Sequence, residues 1–167
     1  MEQELISYNE KHAIIEAARQ SFNNISEVDM NEAIIKVDSR LFNDISEVDI
    51  NYLFGLLICC DTKQEPISED DIRVNKAIIM AACKSFNNIS KDYWKFLFII
   101  SIKIYCARNI TDKNNYTKDL NTLLDKLFSK DFTYGKYKVF YIKILEYYFL
   151  NEWSKKLVLR VKKRKRT

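Results

Sequence analysis

One phrase is written three times in this chain: "SFNNISEVDMN" at 21–31, "LFNDISEVDIN" at 41–51 and "SFNNISKDYW" from residue 85. Its letters describe a junction between helices. A Ser can accept hydrogen bonds from the orphan N–H groups that open a helix, and the acids behind it favour the positive end of the helix dipole. The Ile ahead of it can pack back onto the first turn. The Asn pair tolerates the left-handed backbone that often closes a preceding helix. Weaker spellings extend the series. Ser26, Ser46, Ser68, Ser90, Thr111 and Thr133 each follow Ile or Phe, at spacings of 20, 22, 22, 21 and 22 residues.

Composition agrees with that rhythm. The 167 residues include 2 Gly and 1 Pro, too few for the tight turns of a sheet protein. The chain is therefore expected to be all-α, a single domain over 1–153 with a basic, mobile tail at 154–167. The punctuation predicts seven antiparallel helices, near 5–22, 27–42, 47–60, 69–86, 91–108, 112–129 and 134–153. Apolar residues recur within them at helical spacing, as in Ile14, Ala17, Ala18 and Phe22, or Leu120, Leu123, Leu124 and Leu127. "AIIEAARQSFNNIS" at 13–26 and "AIIMAACKSFNNIS" at 77–90 agree at 11 of 14 positions. That match points to an internal duplication, although an Asn/Ile/Lys-rich coding bias also makes short words recur. Two helix units give a period in the range of HEAT or armadillo repeats. A compact helical bundle and a short helical repeat both fit.

The most apolar run, "WKFLFIISIKIYCA" at 94–107, is too short to span a bilayer and reads as the buried central helix. Phe96, Ile99, Ile100, Ile102 and Tyr105 are expected to meet other helices, with Lys95 and Lys103 facing outward. Aromatic residues crowd the last helix: Tyr134, Tyr137, Phe140, Tyr141, Tyr147, Tyr148, Phe149 and Trp153, interleaved with Lys136, Lys138 and Lys143. Such a stretch can stack bases while holding phosphates. The stronger expectation is core, with the lysines at its wet edge.

Charge is divided along the chain. Residues 1–71 carry 5 basic and 16 acidic side chains, whereas 72–154 carry 14 basic and 7 acidic. The last 13 residues, "KKLVLRVKKRKRT", hold 8 basic and no acidic ones. The acidic and basic halves can pair with each other, within a chain or between chains. The basic half can instead meet an external polyanion, either nucleic acid or an acidic membrane surface. "KKRKR" can also serve as a nuclear-import signal. The residues expected to meet nucleic acid, RNA or DNA, or another acidic partner are Arg73, Arg108, Lys155, Lys156, Arg160, Lys162, Lys163, Arg164, Lys165 and Arg166.

Catalytic signatures are scarce. His12 is the one histidine and sits on an exposed-looking first helix. Two glycines exclude a phosphate-binding loop or a dinucleotide fingerprint. The loop "DTKQEPISEDD" lacks the central Gly of an EF-hand. Cys60, Cys83 and Cys106 recur every 23 residues. Antiparallel helices would put Cys83 at the opposite end from the other two, so buried inert thiols are expected rather than a metal site. No cofactor is expected. The N-terminus has no apolar signal core, and four cysteines without paired spacing suit a reducing compartment, so the expected location is intracellular, cytoplasmic or nuclear.

Two families resemble parts of this pattern. "DIR" at 71–73, "IKIYCARN" at 102–109 and the aromatic last helix resemble the small helical subunit of type III CRISPR complexes, over residues 67–153. That resemblance implies a subunit lining a guide–target RNA duplex. Seven helices around an apolar fifth, in an Ile/Asn/Lys/Tyr-rich chain, resemble viral Bcl-2-like proteins, which implies a protein-binding adaptor. No family assignment rests on either. The expected function is a non-enzymatic helical interaction protein, a subunit of a larger assembly contacting nucleic acid through its basic C-terminal half. The alternative is a protein-binding adaptor whose tail is an import or membrane-surface signal. Protein partners and self-association through the oppositely charged halves are also expected.

Overall fold

The computed structural model describes residues 8–22, 46–60 and 69–166, and from Lys155 onward it describes the backbone alone. The described residues form seven helices and no strand: α1 (Tyr8–Ser21), α2 (Glu47–Cys60), α3 (Glu69–Asn87), α4 (Lys91–Cys106), α5 (Ile110–Leu127), α6 (Phe132–Lys136) and α7 (Lys138–Arg166). The all-α expectation holds. The expected helix at 27–42 and its start at Ser26 lie outside the described residues, as does Ser68, although α3 begins at the next residue.

The punctuation works best at Ser46. Its Oγ accepts from the Asp49 N–H at 3.2 Å and donates to Asp49 Oδ2 at 2.9 Å. Asp49 Oδ2 also lies 3.4 Å from the Ser46 N–H, so the two residues cap one another reciprocally. Ser90 is the N-cap of α4 but makes no side-chain cap bond. Its third helical residue is Tyr93, which cannot return the bond as Asp49 does.

Further along, the helices start one residue from Thr111 and Thr133, but other residues cap them. α5 is capped by Asn109, whose side chain accepts from the Asp112 N–H at 2.8 Å, so the helix starts ahead of Thr111. α6 is capped by Asp131, which accepts from the N–H groups of Thr133 and Tyr134. A carboxylate two residues upstream therefore takes the role expected of Thr133. The expected helix at 134–153 is broken at Tyr137 into α6 and α7. The Asn pair at 87–88 closes α3 without left-handed backbone. No described residue has positive φ, and the turn is made by N–H groups of Asn88 and Ile89 donating to the carbonyls of Ser85 and Phe86.

α7 does not stop at residue 153; its backbone stays helical through Arg166. The tail does not have to nucleate a helix of its own, which is the costly step of helix formation. It inherits one already formed, and propagation is far easier than nucleation. Lys, Arg and Leu are good helix formers, and cations suit the negative C-terminal end of the dipole.

α1 packs along α7, α2 touches α1, α3 and α7, and α4 pairs with α5. The first and last described helices are thus neighbours around one core. The middle of that core is α7 rather than α4. Phe140, Tyr141, Ile144, Leu145, Phe149 and Leu150 are all but inaccessible, and Tyr147, Tyr148 and Trp153 are buried beside them. α4 contributes Trp94, Leu97, Phe98, Ser101 and Ile102 from one face. Ile99, Ile100 and Tyr105 are intermediate, Lys95 is half-buried, Lys103 is exposed, and Phe96 is 56% exposed. The expected burial of Phe96 is therefore wrong. The run at 94–107 is apolar on most sides, so its composition did not reveal which side meets the core.

Candidate nucleic-acid interface

α7 has two parts with different surroundings. The first, through Trp153, is held inside the protein by rings and by polar ties. Trp94 packs against Tyr148 and Phe149, Phe98 against Phe149, and Tyr52 stacks on Tyr147 at 4.6 Å between centroids. The Tyr147 hydroxyl donates to Asp49 Oδ1, Tyr141 donates to Asp131 Oδ2 at 3.1 Å, and Trp153 Nε1 donates to Ser21 Oγ at 2.5 Å. Burial first, then the facing carboxylate, pushes the Tyr147 phenol well above its usual range, so it stays a proton donor. The aromatic residues expected to be core are core. Tyr137 alone among those eight is only partly buried.

The second part, 154–166, carries Lys155, Lys156, Arg160, Lys162, Lys163, Arg164, Lys165 and Arg166 on a helical backbone. Arg73 is exposed near the start of α3, and Arg108 is exposed in the three-residue link between α4 and α5. Among the described contacts none joins Arg73, Arg108 and the basic end of α7 into one cluster.

The two halves of the chain are tied together by charge in an unexpected sense. Arg19, from the acidic half, pairs with Glu146 of the basic half and with Glu16 at 3.1 Å. Lys11 Nζ donates to Asn151 Oδ1 at 2.6 Å. Among the described ion pairs, the one that crosses between halves therefore uses a minority charge from each, and it leaves the cationic excess of the C-terminal half in place.

A cavity of about 170 Å³ lies between α4, α5 and α7, lined by Ser101, Ile104, Tyr105, Thr117, Leu120, Ile142, Leu145 and Glu146. Ser101 Oγ and Thr117 Oγ1 each donate to the carbonyl one turn back, Leu97 and Lys113, at 2.7 Å. These hydroxyl protons are thereby engaged within their own helices.

The thiols and the histidine have structural surroundings. Cys83 is buried, and burial, with Asp49 nearby, pushes its thiol up to about 12. Cys106 is partly buried, its pKa also raised by burial, and its thiol donates to the Phe22 carbonyl at 3.2 Å. The Cys60 side chain lies outside the described residues. His12 is exposed, with Nδ1 3.3 Å from the Tyr52 hydroxyl and Nε2 4.0 Å from Glu16. Among the described residues no three His, Cys, Asp or Glu side chains stand together as a metal site would need. No described helix is long and apolar enough to cross a membrane.

Sequence reasoning missed Asp131, which caps α6 while its other oxygen lies 2.5 Å from Ser85 Oγ and 3.1 Å from the Tyr141 hydroxyl. Its signal was available: an acid two residues before Thr133 in "KDFTY". The Arg19–Glu146 pair had no comparable signal, because it joins residues far apart in the chain. No known protein family, curated protein or solved structure matches the chain.

Proposed function

We propose that this protein works by binding and not by catalysis, and that its basic C-terminal half contacts nucleic acid. The observation that carries the reading is the end of α7. Eight cations and no acid occupy residues 155–166, on a helix whose preceding turns are anchored in the core. Fixing cations on an anchored helix lowers the ordering cost of meeting a polyanion. Arg73 and Arg108 are exposed and add fixed charges from the body.

The test is a salt series of nucleic-acid titrations with the full chain and with a variant whose eight cations at 155–166 are replaced by Gln. Affinity should fall steeply with salt. The variant should flatten the log–log slope by about 0.9 for each cation that meets a phosphate. No binding by the full chain at low salt overturns the proposal.

A protein partner is the second reading. Ile72, Val74 and Met80 on α3 and Phe96 on α4 are exposed apolar side chains, and they favour contact with another protein. If the acidic half instead neutralises the basic half between molecules, sizing chromatography should show self-association at low salt that is lost at high salt.

A further inference from the structure

Resting on the nucleic-acid reading above, we infer that the polyanion is double-stranded DNA, met by the 155–166 stretch of α7 lying as a helix in the major groove. Single-strand binders combine a cationic track with aromatic rings on which bases stack. Here the rings of α7 are already engaged in the core: Phe140, Tyr141, Tyr148, Phe149 and Trp153 are buried. Residues 154–167 contain no aromatic side chain at all. The exposed rings Tyr93, Phe96 and Phe132 sit on α4 and at the start of α6, outside the cationic stretch. What the stretch offers is charge on a rod, which suits the regular phosphates of a duplex.

The backbone supplies the second argument. α7 is unbroken from Lys138 to Arg166, with no Gly or Pro in it. The residues past Trp153 add about 20 Å of helix at 1.5 Å per residue. The major groove of B-form DNA, about 12 Å wide, admits a helix, whereas the deep, narrow groove of A-form RNA does not.

Register supplies the third. At helical spacing Lys155, Lys162 and Arg166 fall in one row, and Lys156, Arg160 and Lys163 in the row beside it. Two adjacent cationic rows match the two phosphate walls that flank a groove. The apolar positions of the stretch are only Leu157, Val158, Leu159 and Val161. A helix that lies in a membrane surface needs a broad apolar face with bulky anchors, so this stretch suits phosphate walls better than lipid.

The experiment is fluorescence anisotropy with the full chain at one fixed salt concentration. The probes are a short DNA duplex, one of its strands, an RNA duplex of the same sequence and phosphatidylserine vesicles. The DNA duplex should bind about tenfold or more tighter than the single strand and the RNA duplex. Leu159→Pro keeps all eight cations but breaks the helix beyond the last core residue. It should lose that preference while still binding single strands, and Leu159→Ala should retain it. Circular dichroism with near-ultraviolet spectra reports whether the folded body survives in each variant.

Equal affinity for the three nucleic acids overturns the duplex inference and leaves the nucleic-acid reading standing. Retention of the full preference by Leu159→Pro overturns the helix-in-groove geometry. Tighter binding to vesicles than to DNA overturns the inference in favour of a membrane surface. No binding to any nucleic acid overturns this inference together with the reading on which it rests.

Discussion

Along α1 and α3 three pairs of matching apolar letters are buried alike. Ile15, Ala18 and Phe22 correspond, 64 positions on, to Ile79, Ala82 and Phe86, and all six are buried. The polar letters between them part company. Ser21 Oγ donates to the Ala18 carbonyl and accepts from the Trp153 indole, whereas its counterpart Ser85 Oγ sits beside the Ala81 carbonyl and the Asp131 carboxylate. Arg19 reaches two glutamates at its half-exposed position, and the equivalent Cys83 is sealed in the core. Apolar burial follows from spacing on one helix. Polar chemistry is set by whichever helix stands opposite.

The apolar half of that comparison is the easiest to break. Phe22 packs against Tyr105 and Trp153, and Phe86 against Trp94, Phe128 and Tyr141. Phe22→Ala and Phe86→Ala should each lower stability by about 3–5 kcal/mol, with Phe86 at the upper end for its larger ring cluster. Urea denaturation of the two variants checks this. A large loss in one and none in the other would mean the copies do not play equivalent parts.

The polar half can be sharpened with pH. The Cys83 thiol favours the folded state only while protonated, since burial raises its pKa from the usual 9.0 to about 12. That contribution is whole below about pH 9 and is lost as pH climbs toward 12, at no more than about 1.4 kcal/mol per unit. Cys106 adds to the fall, and the phenols of Tyr105, Tyr141 and Tyr147, also raised by burial, join it above 10. Between pH 9 and 10 the denaturation midpoint should therefore drop in the native chain and drop less in Cys83→Ala. Parallel curves would show that the thiol is not sealed from solvent.

The smallest effect concerns the repeated phrase itself. Ser46 has Asp49 to answer it and Ser90 has Tyr93. Ser46→Ala should cost about 1 kcal/mol, and Ser90→Ala less than about 0.5. Equal losses would show that the hydroxyl acts without its partner.

Much of this fold was legible in the chain, and what was legible was local. Two glycines and one proline ruled out a sheet. The phrase around Ser46 and Ser90 marked the starts of α2 and α4, and Ser68 stands directly before α3. The duplicated stripe marked Ala18 and Phe22 correctly, but Ile14 and Ala17 are exposed and Ile15 takes the buried place. Each of these depends on residues within a turn or two of one another, where backbone hydrogen bonding and side-chain spacing act without help from the rest of the molecule. The candidate interface was legible as charge, because a run of eight cations needs no fold to be seen. Its helical form was not, because that stretch extends a helix nucleated upstream. Tertiary structure alone decided that α7 and not α4 lies at the centre, that Phe96 faces outward, and that Arg19 meets Glu146. Hydrophobic burial has no direction of its own. A helix that is apolar on most sides, as α4 and the first part of α7 are, takes its place in the core only when the other faces have been assigned.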